Sequence, residues 1–341
     1  MEGILHVSPK ELNLLLTLNC GQCFRWRSRV KPIAGDHLVD VKPFSSSQSK
    51  TWFGIIRKMV FELTQYPEQE MIKWRLLNDG CNFNSKKRRK LSTDDVNEVL
   101  YDYFQLKVPL EKYYQIWSKA DSNFAEKAIK FTGIRMLRQD PVENLFSFIC
   151  SSNNNIPRIT TMVEAMCTTY GEQLMIDDEF GPVYEFPRII NLVENDVETA
   201  LRKMNFGYRA KFIHGAAKTI VEMNDKEPEK WLYDLRSREY GETHQELQRL
   251  PGVGAKVADC VCLMSLDKHE AIPVDTHVWK IALTTYLPHL KRTKSMTDRS
   301  YREIGDFFRK HFGSYAGWAH SILFAADLKR FQEAAVEPPK R

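Results

Sequence analysis

No stretch of these 341 residues is apolar for long enough to cross a bilayer as a helix, so a helix-spanning membrane protein is excluded. Charge of one sign is scarce as well: 49 Lys plus Arg against 44 Asp plus Glu leave only +5. That excess fits a face that meets phosphate without requiring one. The seven cysteines follow no regular secreted framework, and Met1-Glu2-Gly3 does not begin a basic-then-apolar leader, so a reducing compartment is expected. Cys20 and Cys23 make one C-x-x-C, open to redox or zinc chemistry, yet no second Cys or His pair at ligand spacing accompanies it. A structural role, with no metal, is the expectation. No cysteine follows Cys262.

What is present divides the chain. A 43% hydrophobic content allows real cores, and the length favours two domains. Residues 23–27, 37–41, 51–56 and 60–63 are short, β-branched and aromatic, broken by Gly, Pro and Ser, which predicts a twisted antiparallel sheet. From about residue 94 the period becomes helical, punctuated at Pro109, Pro141, Pro157, Gly171, Gly207, Pro251, Pro273 and Gly313. The predicted class is α+β, with an N-terminal antiparallel sheet domain over 1–107, an all-helical body over 108–333 and a short tail over 334–341. Residues 85–90 are a basic run read as a nuclear-import signal, a nonspecific DNA arm or a plain solvated loop.

The most informative segment is Leu250-Pro251-Gly252-Val253-Gly254-Ala255-Lys256-Val257-Ala258-Asp259-Cys260. Gly252 and Gly254 permit a tight turn that bares backbone N–H groups at a helix start, where an anion such as a phosphate is favoured. Lys256 then falls in the first helical turn, where a cation opposes the helix dipole; a lysine kept for solubility would sit better at the far end. Lys256, Cys260 and Met264 share one helical stripe. Such stripes usually mean core packing, and equally a thiol and a thioether suit a flat, polarizable base. His320 and Phe324 are likewise one turn apart. Asp275, after Pro273, is placed to cap a helix, worth about 1 kcal/mol, and a rigid carboxylate there can also stabilise developing positive charge.

Five ordered pieces carry a family likeness: Gly21-Gln22-Cys23-Phe24-Arg25-Trp26, Phe148-Ile149-Cys150-Ser151-Ser152-Asn153-Asn154-Asn155, Phe206-Gly207-Tyr208-Arg209-Ala210-Lys211, the lysine segment, and Pro273-Val274-Asp275-Thr276-His277. From about residue 8 to residue 330 the chain resembles the helix-hairpin-helix glycosylases, closely the eukaryotic 8-oxoguanine DNA glycosylase/AP lyases. The resemblance implies a small β domain followed by two helical lobes with the active site in their cleft. It implies no cofactor: the superfamily's iron–sulfur members carry a four-cysteine cluster beyond the aspartate, and this chain has no cysteine there.

The same resemblance implies base flipping, because a base inside a duplex exposes too little to a protein group. Lys256 attacks C1′, expels the base and leaves a Schiff base open to β-elimination, with Asp275 as the second catalytic residue. Gly21, Cys260, Met264, Pro273, His320 and Phe324 form the damaged-base pocket, in which the Gly21 carbonyl accepts the N7–H that 8-oxoguanine has and guanine lacks. Asn153 wedges beside the orphaned cytosine, Arg158 and Arg209 read it through forked donors, and Tyr208 intercalates. Gly252, Gly254 and His277 meet phosphate. Bland readings stand beside these: a capping turn for the asparagines, core packing for Tyr208, a structural role for His277.

Two positions depart from the family. Cys23 stands where serine is common, and His320 where a glutamine amide reads the purine edge. A neutral imidazole offers one donor and one acceptor but is shorter. Protonation removes the acceptor, near pH 6.5 if the ring is unperturbed. The expected partner is duplex DNA containing an oxidised purine, the expected state a monomer, and the expected location the nucleus, with mitochondria as a further site. Alternatives are a glycosylase of altered purine specificity and a noncatalytic DNA-binding module, which would need neither Lys256 nor Asp275.

Overall fold

Ile72, Trp74 and Leu76 alternate with Lys73 and Arg75, the period of two that turns one face of a strand to a core and the other to water. The computed structural model realises that pattern as the strand Met71–Asn78, its apolar residues buried and its cations exposed. The structure describes residues 1–29, 50–80, 91–293, 295–328 and 331. The strand expected at 37–41, the basic run at 85–90 and the tail at 334–341 lie outside the described residues.

Among those residues, β1 (Glu2–His6), β2 (Arg27–Arg29), β3 (Thr51–Ile56), β4 (Met59–Tyr66) and β5 (Met71–Asn78) form one antiparallel sheet in the order β1-β5-β4-β3-β2. Arg57 and Lys58 join β3 to β4 with φ of 50° and 68°, the paired positive values whose twist suits a two-residue hairpin. The expected strand at 23–27 is mostly loop, with β2 starting only at Arg27. Its cause is upstream. Gly21 turns the chain at φ 85°, and the buried Gln22 amide donates to the Thr17 and Arg135 carbonyls at 3.1 and 2.9 Å. Cys20 and Cys23, flanking that anchor, are both buried, their thiols donating to the Thr17 and Leu18 carbonyls at 3.2 and 3.7 Å.

The chain forms two compact units, one comprising Met1–Arg135 with the described residues from Ala325 onward, the other Met136–Phe324. Helices begin at Thr93, close to the expected change at 94, and the domain boundary expected at 107 falls inside the first unit, which runs on through helices Thr93–Tyr103, Leu110–Ala120 and Ser122–Lys130. Trp117 and Phe124 meet edge to face there at 5.6 Å between ring centroids, and both are buried.

The second unit is mainly helical, and its Pro and Gly residues punctuate as expected. Asp140 caps helix Pro141–Ile149 by accepting from the Val142 and Glu143 amides at 2.9 and 3.0 Å, with proline at the first helical position. Gly171 ends helix Ile156–Tyr170 and Gly313 ends helix Asp298–Phe312. The body is not all helical, because β6 (Gln173–Asp177) and β7 (Gly181–Tyr184) form an antiparallel hairpin. Turn chemistry explains it: Asp177 accepts from the Glu179 and Phe180 amides, both at 3.0 Å, and Gly181 takes φ 71°. No helix among the described residues is long and apolar enough to cross a membrane.

Candidate active site

Helix Ala255–Ser265 follows helix Tyr240–Leu247 through the glycine turn. Gly252 has φ 81°, and a Cβ there would lie 2.5 Å from the Cβ of Phe212, so conformation and space both require glycine. Gly254 is the N-cap and supplies no side-chain bond to the first-turn N–H groups. Lys256 points its Nζ to Ser151 Oγ at 3.1 Å, 5.0 Å from the centre of the Phe148 ring. The amine at the positive helix end is thus held by a hydroxyl and an aromatic face.

Cys260 and Met264 follow Lys256 on the same helix, Cys260 buried and Met264 half-buried. Burial pushes the Cys260 thiol up to about 11, with the Lys256 ammonium pulling down and the Asp259 and Asp275 carboxylates pushing up. Cys260 is therefore a neutral apolar surface at physiological pH, felt by the amine and by both carboxylates. Asp275 is the N-cap of helix Thr276–Ile281 and accepts from the Val278 amide at 2.9 Å, as its place after Pro273 predicts.

His320 and Phe324 lie on helix Ala316–Asp327. Gly317 lets that helix close on the chain ahead of Pro273: a Cβ would come within 2.5 Å of the Ala271 carbonyl, and the Gly317 amide donates to the His269 carbonyl at 2.9 Å. His320 is 5% exposed, and neither ring nitrogen has a hydrogen-bond partner. Burial pushes its pKa down to about 4, against Asp275, Asp259 and the nearby carbonyls of Gly317 and Pro273. Those carbonyls face the ring without reaching hydrogen-bond geometry. Phe324 is half-buried, and His277 stands edge-on to it at 5.6 Å.

The turn at residues 151–155 brings together most of the remaining candidates. Asn153 adopts φ 45°, Asn154 donates to the Cys150 carbonyl at 2.9 Å, and Asn155 caps helix Ile156–Tyr170 through the Arg158 amide at 3.0 Å. Capping by Asn155 and an exposed turn position for Asn153 coexist. Tyr208 is 47% exposed and donates its hydroxyl to the Ser152 carbonyl at 3.1 Å. Arg209 is buried; its Nε donates to Ser152 O at 3.1 Å and its Nη2 to Asn153 O at 3.0 Å. The forked donors expected to face a cytosine are here spent on the wedge turn itself. Arg158 is exposed, and its guanidinium donates to the Asn205 carbonyl at 3.2 Å.

The second unit therefore clusters Lys256, Cys260, Asp275, Pro273 and His320, pairs His277 with Phe324, and seats Asn153, Tyr208 and Arg209 on one turn. Gly21 belongs to the first unit. Ser151 and Phe148 were given no role by sequence, although both fall in a quoted motif. No local signal exists for them, since Ser151 meets Lys256 across 105 residues.

Residues 4–145 match the sequence model of the 8-oxoguanine DNA glycosylase N-terminal domain, and residues 146–306 match that of the HhH-GPD superfamily of base excision DNA repair proteins. N-glycosylase/DNA lyase OGG1 of Arabidopsis thaliana is 36% identical over 324 residues, 95% of this chain and 80% of its own. The solved structure of MBOgg1 with a low-affinity DNA ligand superposes with a TM-score of 0.72 at 29% identity, covering 96% of this chain and 95% of that one. The Clostridium acetobutylicum 8-oxoguanine glycosylase/lyase, bound to duplex DNA with cytosine opposite 8-oxoguanine, gives 0.72 at 28% identity, covering 92% and 91%.

Proposed function

Because the chain belongs to the 8-oxoguanine DNA glycosylase family of helix-hairpin-helix base-excision repair proteins, we propose that Lys256 is its covalent nucleophile and Asp275 its partner. The chain is a bifunctional DNA N-glycosylase and AP-site lyase that acts on 8-oxoguanine in duplex DNA. One observation carries the residue assignment. A first-turn amine, held by Ser151, shares the buried Cys260 surface with a helix-capping carboxylate.

In this reading the neutral Lys256 amine attacks C1′ of the flipped nucleotide while the bond from C1′ to the base nitrogen breaks. The departing base takes up a proton, and the positive charge that develops on the sugar is met by Asp275, fixed by its cap bond. The C1′–O4′ bond of this adduct then breaks, O4′ takes up a proton and the ring opens to a Schiff base; that makes the C2′ hydrogen acidic, and its loss expels the 3′ phosphate and nicks the strand. Cys260, Met264 and Phe324 offer apolar and aromatic surface to the base, and His320 offers a donor and an acceptor to its edge. Gly252, Gly254 and the bare first-turn amides hold phosphate, with His277 beside them. Asn153 fills the gap in the duplex, and Tyr208 and Arg158 face the orphaned cytosine. A shifted purine preference is the second reading, favoured by His320 in place of a glutamine. The chain works as a monomer, in the nucleus and in mitochondria; sedimentation and a fluorescent fusion test those two points.

Borohydride trapping on duplexes carrying 8-oxoguanine, formamidopyrimidine or an alkylated purine tests the whole reading. The expected result is a covalent adduct with the first two, strongest for 8-oxoguanine opposite cytosine. Trapping on the alkylated purine alone would establish the second reading in its place.

A further inference from the structure

Asp259 lies three residues past Lys256 on the same helix and is 1% exposed. A carboxylate so buried destabilises a fold unless its oxygens are bonded. Tyr240 Oη donates to one oxygen at 2.6 Å and Tyr301 Oη to the other at 2.5 Å. His244 Nε2 stands 3.6 Å from the first oxygen and 3.2 Å from the Ala255 carbonyl. Arg309 donates to Tyr240 Oη at 3.4 Å. Burial and the Asp259 charge together push both phenols upward, so each stays a protonated donor. Burial disfavours the His244 cation, but Asp259 and the Ala255 carbonyl outweigh it and raise its pKa.

Tyr301 differs from Tyr240 in its second contact. Its hydroxyl accepts from the Val274 amide at 3.4 Å and lies 3.4 Å from the Ile272 carbonyl. Val274 immediately precedes Asp275. One hydroxyl therefore joins the helix of Lys256, through Asp259, to the backbone that carries the capping carboxylate. Tyr240 binds the same carboxylate and has no bond to that backbone.

We propose that Tyr301, acting through Asp259, is a positioning residue that sets Lys256 against Asp275. The proposal rests on the reading of those two residues as the catalytic pair. Attack on C1′ needs the amine and the carboxylate aligned at once, and a misplacement of about 1 Å can cost on the order of 100-fold in rate. A purely structural tyrosine would change stability without changing the chemical step.

The test is a double-mutant cycle read as single-turnover excision, with duplex Kd and Tm measured on every variant. Tyr301→Phe should slow excision roughly 10-fold with Kd unchanged, a fraction of what full misalignment costs. Tyr240→Phe should lower Tm comparably yet slow excision less. In an Asp275→Asn background, Tyr301→Phe should add almost nothing, because the group it positions has lost its charge. Asp259→Asn, which keeps the side-chain volume, should show the same coupling and replaces Tyr301→Phe if that variant does not fold. Additive losses, an equal effect from Tyr240→Phe, or a normal rate in Tyr301→Phe would each overturn the bridge. Normal excision by Asp275→Asn alone would overturn the catalytic pair, and the bridge with it.

Discussion

Two corners of the second unit treat their polar groups in opposite ways. At Lys256 and Asp275 the charged side chains are each engaged: the amine on Ser151, the carboxylate on the Val278 amide, and the neighbouring Asp259 on two tyrosines. At His320 a more deeply buried ring has no hydrogen bond at either nitrogen. The first corner is held in place by the fold itself, so its geometry exists before any substrate arrives. The second holds a ring whose two nitrogens have no protein partner, at a buried cost of roughly 1 to 3 kcal/mol that a polar group brought to them would offset. Chemistry is preorganised and recognition is left open.

Removing the organised groups should do the most damage. Lys256→Gln is expected to give no borohydride adduct and no excision while still binding a lesion duplex, because the glycine turn and its amides are untouched. Asp275→Asn should slow excision by about 100-fold, as loss of one transition-state electrostatic group does. Asparagine still caps a helix, so its Tm should stay close to that of the parent. A large drop in Tm with a near-normal rate would reduce Asp275 to its capping role and end the contrast between the corners.

The wedge turn offers a smaller and more selective effect. Arg209 supports the carbonyls of Ser152 and Asn153, whereas Arg158 is exposed and lightly held. Arg158→Ala should therefore narrow the preference for cytosine over adenine opposite the lesion by about 1 to 3 kcal/mol, the worth of one good base contact. Arg209→Ala should lower Tm as well, since it removes a buried guanidinium that ties the Ser152 and Asn153 carbonyls together, leaving the Ser152 carbonyl its bond from Tyr208. Equal narrowing by both variants, with no loss of Tm in either, would show that Arg209 leaves its carbonyls to read the base.

How much of this was legible in the sequence depends on how far apart the partners lie. The helix ends at Pro141, Gly171 and Gly313 and the cap at Asp275 are local events, decided within one turn of chain, and the sequence announces them. The stripe of Lys256, Cys260 and Met264 follows from helical period alone. The aromatic residues of 23–27 suggest a strand, and what overrides them is a side-chain anchor, Gln22, whose acceptor on Arg135 is distant in sequence. The hairpin at 173–184 hid behind a helical period on either side. Ser151 beneath Lys256 and Tyr301 beneath Asp259 are pairings of remote segments, which no window of sequence displays. The burial of Arg209 against the Ser152 and Asn153 carbonyls is likewise not disclosed by residue type.

His320 gives the smallest expected effect on rate at neutral pH and the sharpest use of pH. An imidazole with the usual value would lose its acceptor near 6.5, and base reading would fail there. Burial lowers the folded value to about 4. Excision by the parent and by His320→Gln should therefore run parallel from pH 7 down to about 5 and separate only as the pH approaches 4. Stability should tell them apart sooner. The unfolded histidine takes up a proton below about 6.5 while the folded one does not, so the stability present above 6.5 declines as pH falls toward 4. Between pH 7 and pH 5 that loss is about 2 kcal/mol for the parent, and His320→Gln should lack it. Urea melts of both variants at pH 5, 6 and 7 measure the difference directly. Parallel stability curves, with excision diverging near 6.5, would mean that the ring titrates as if in water and that the pocket does not close over it.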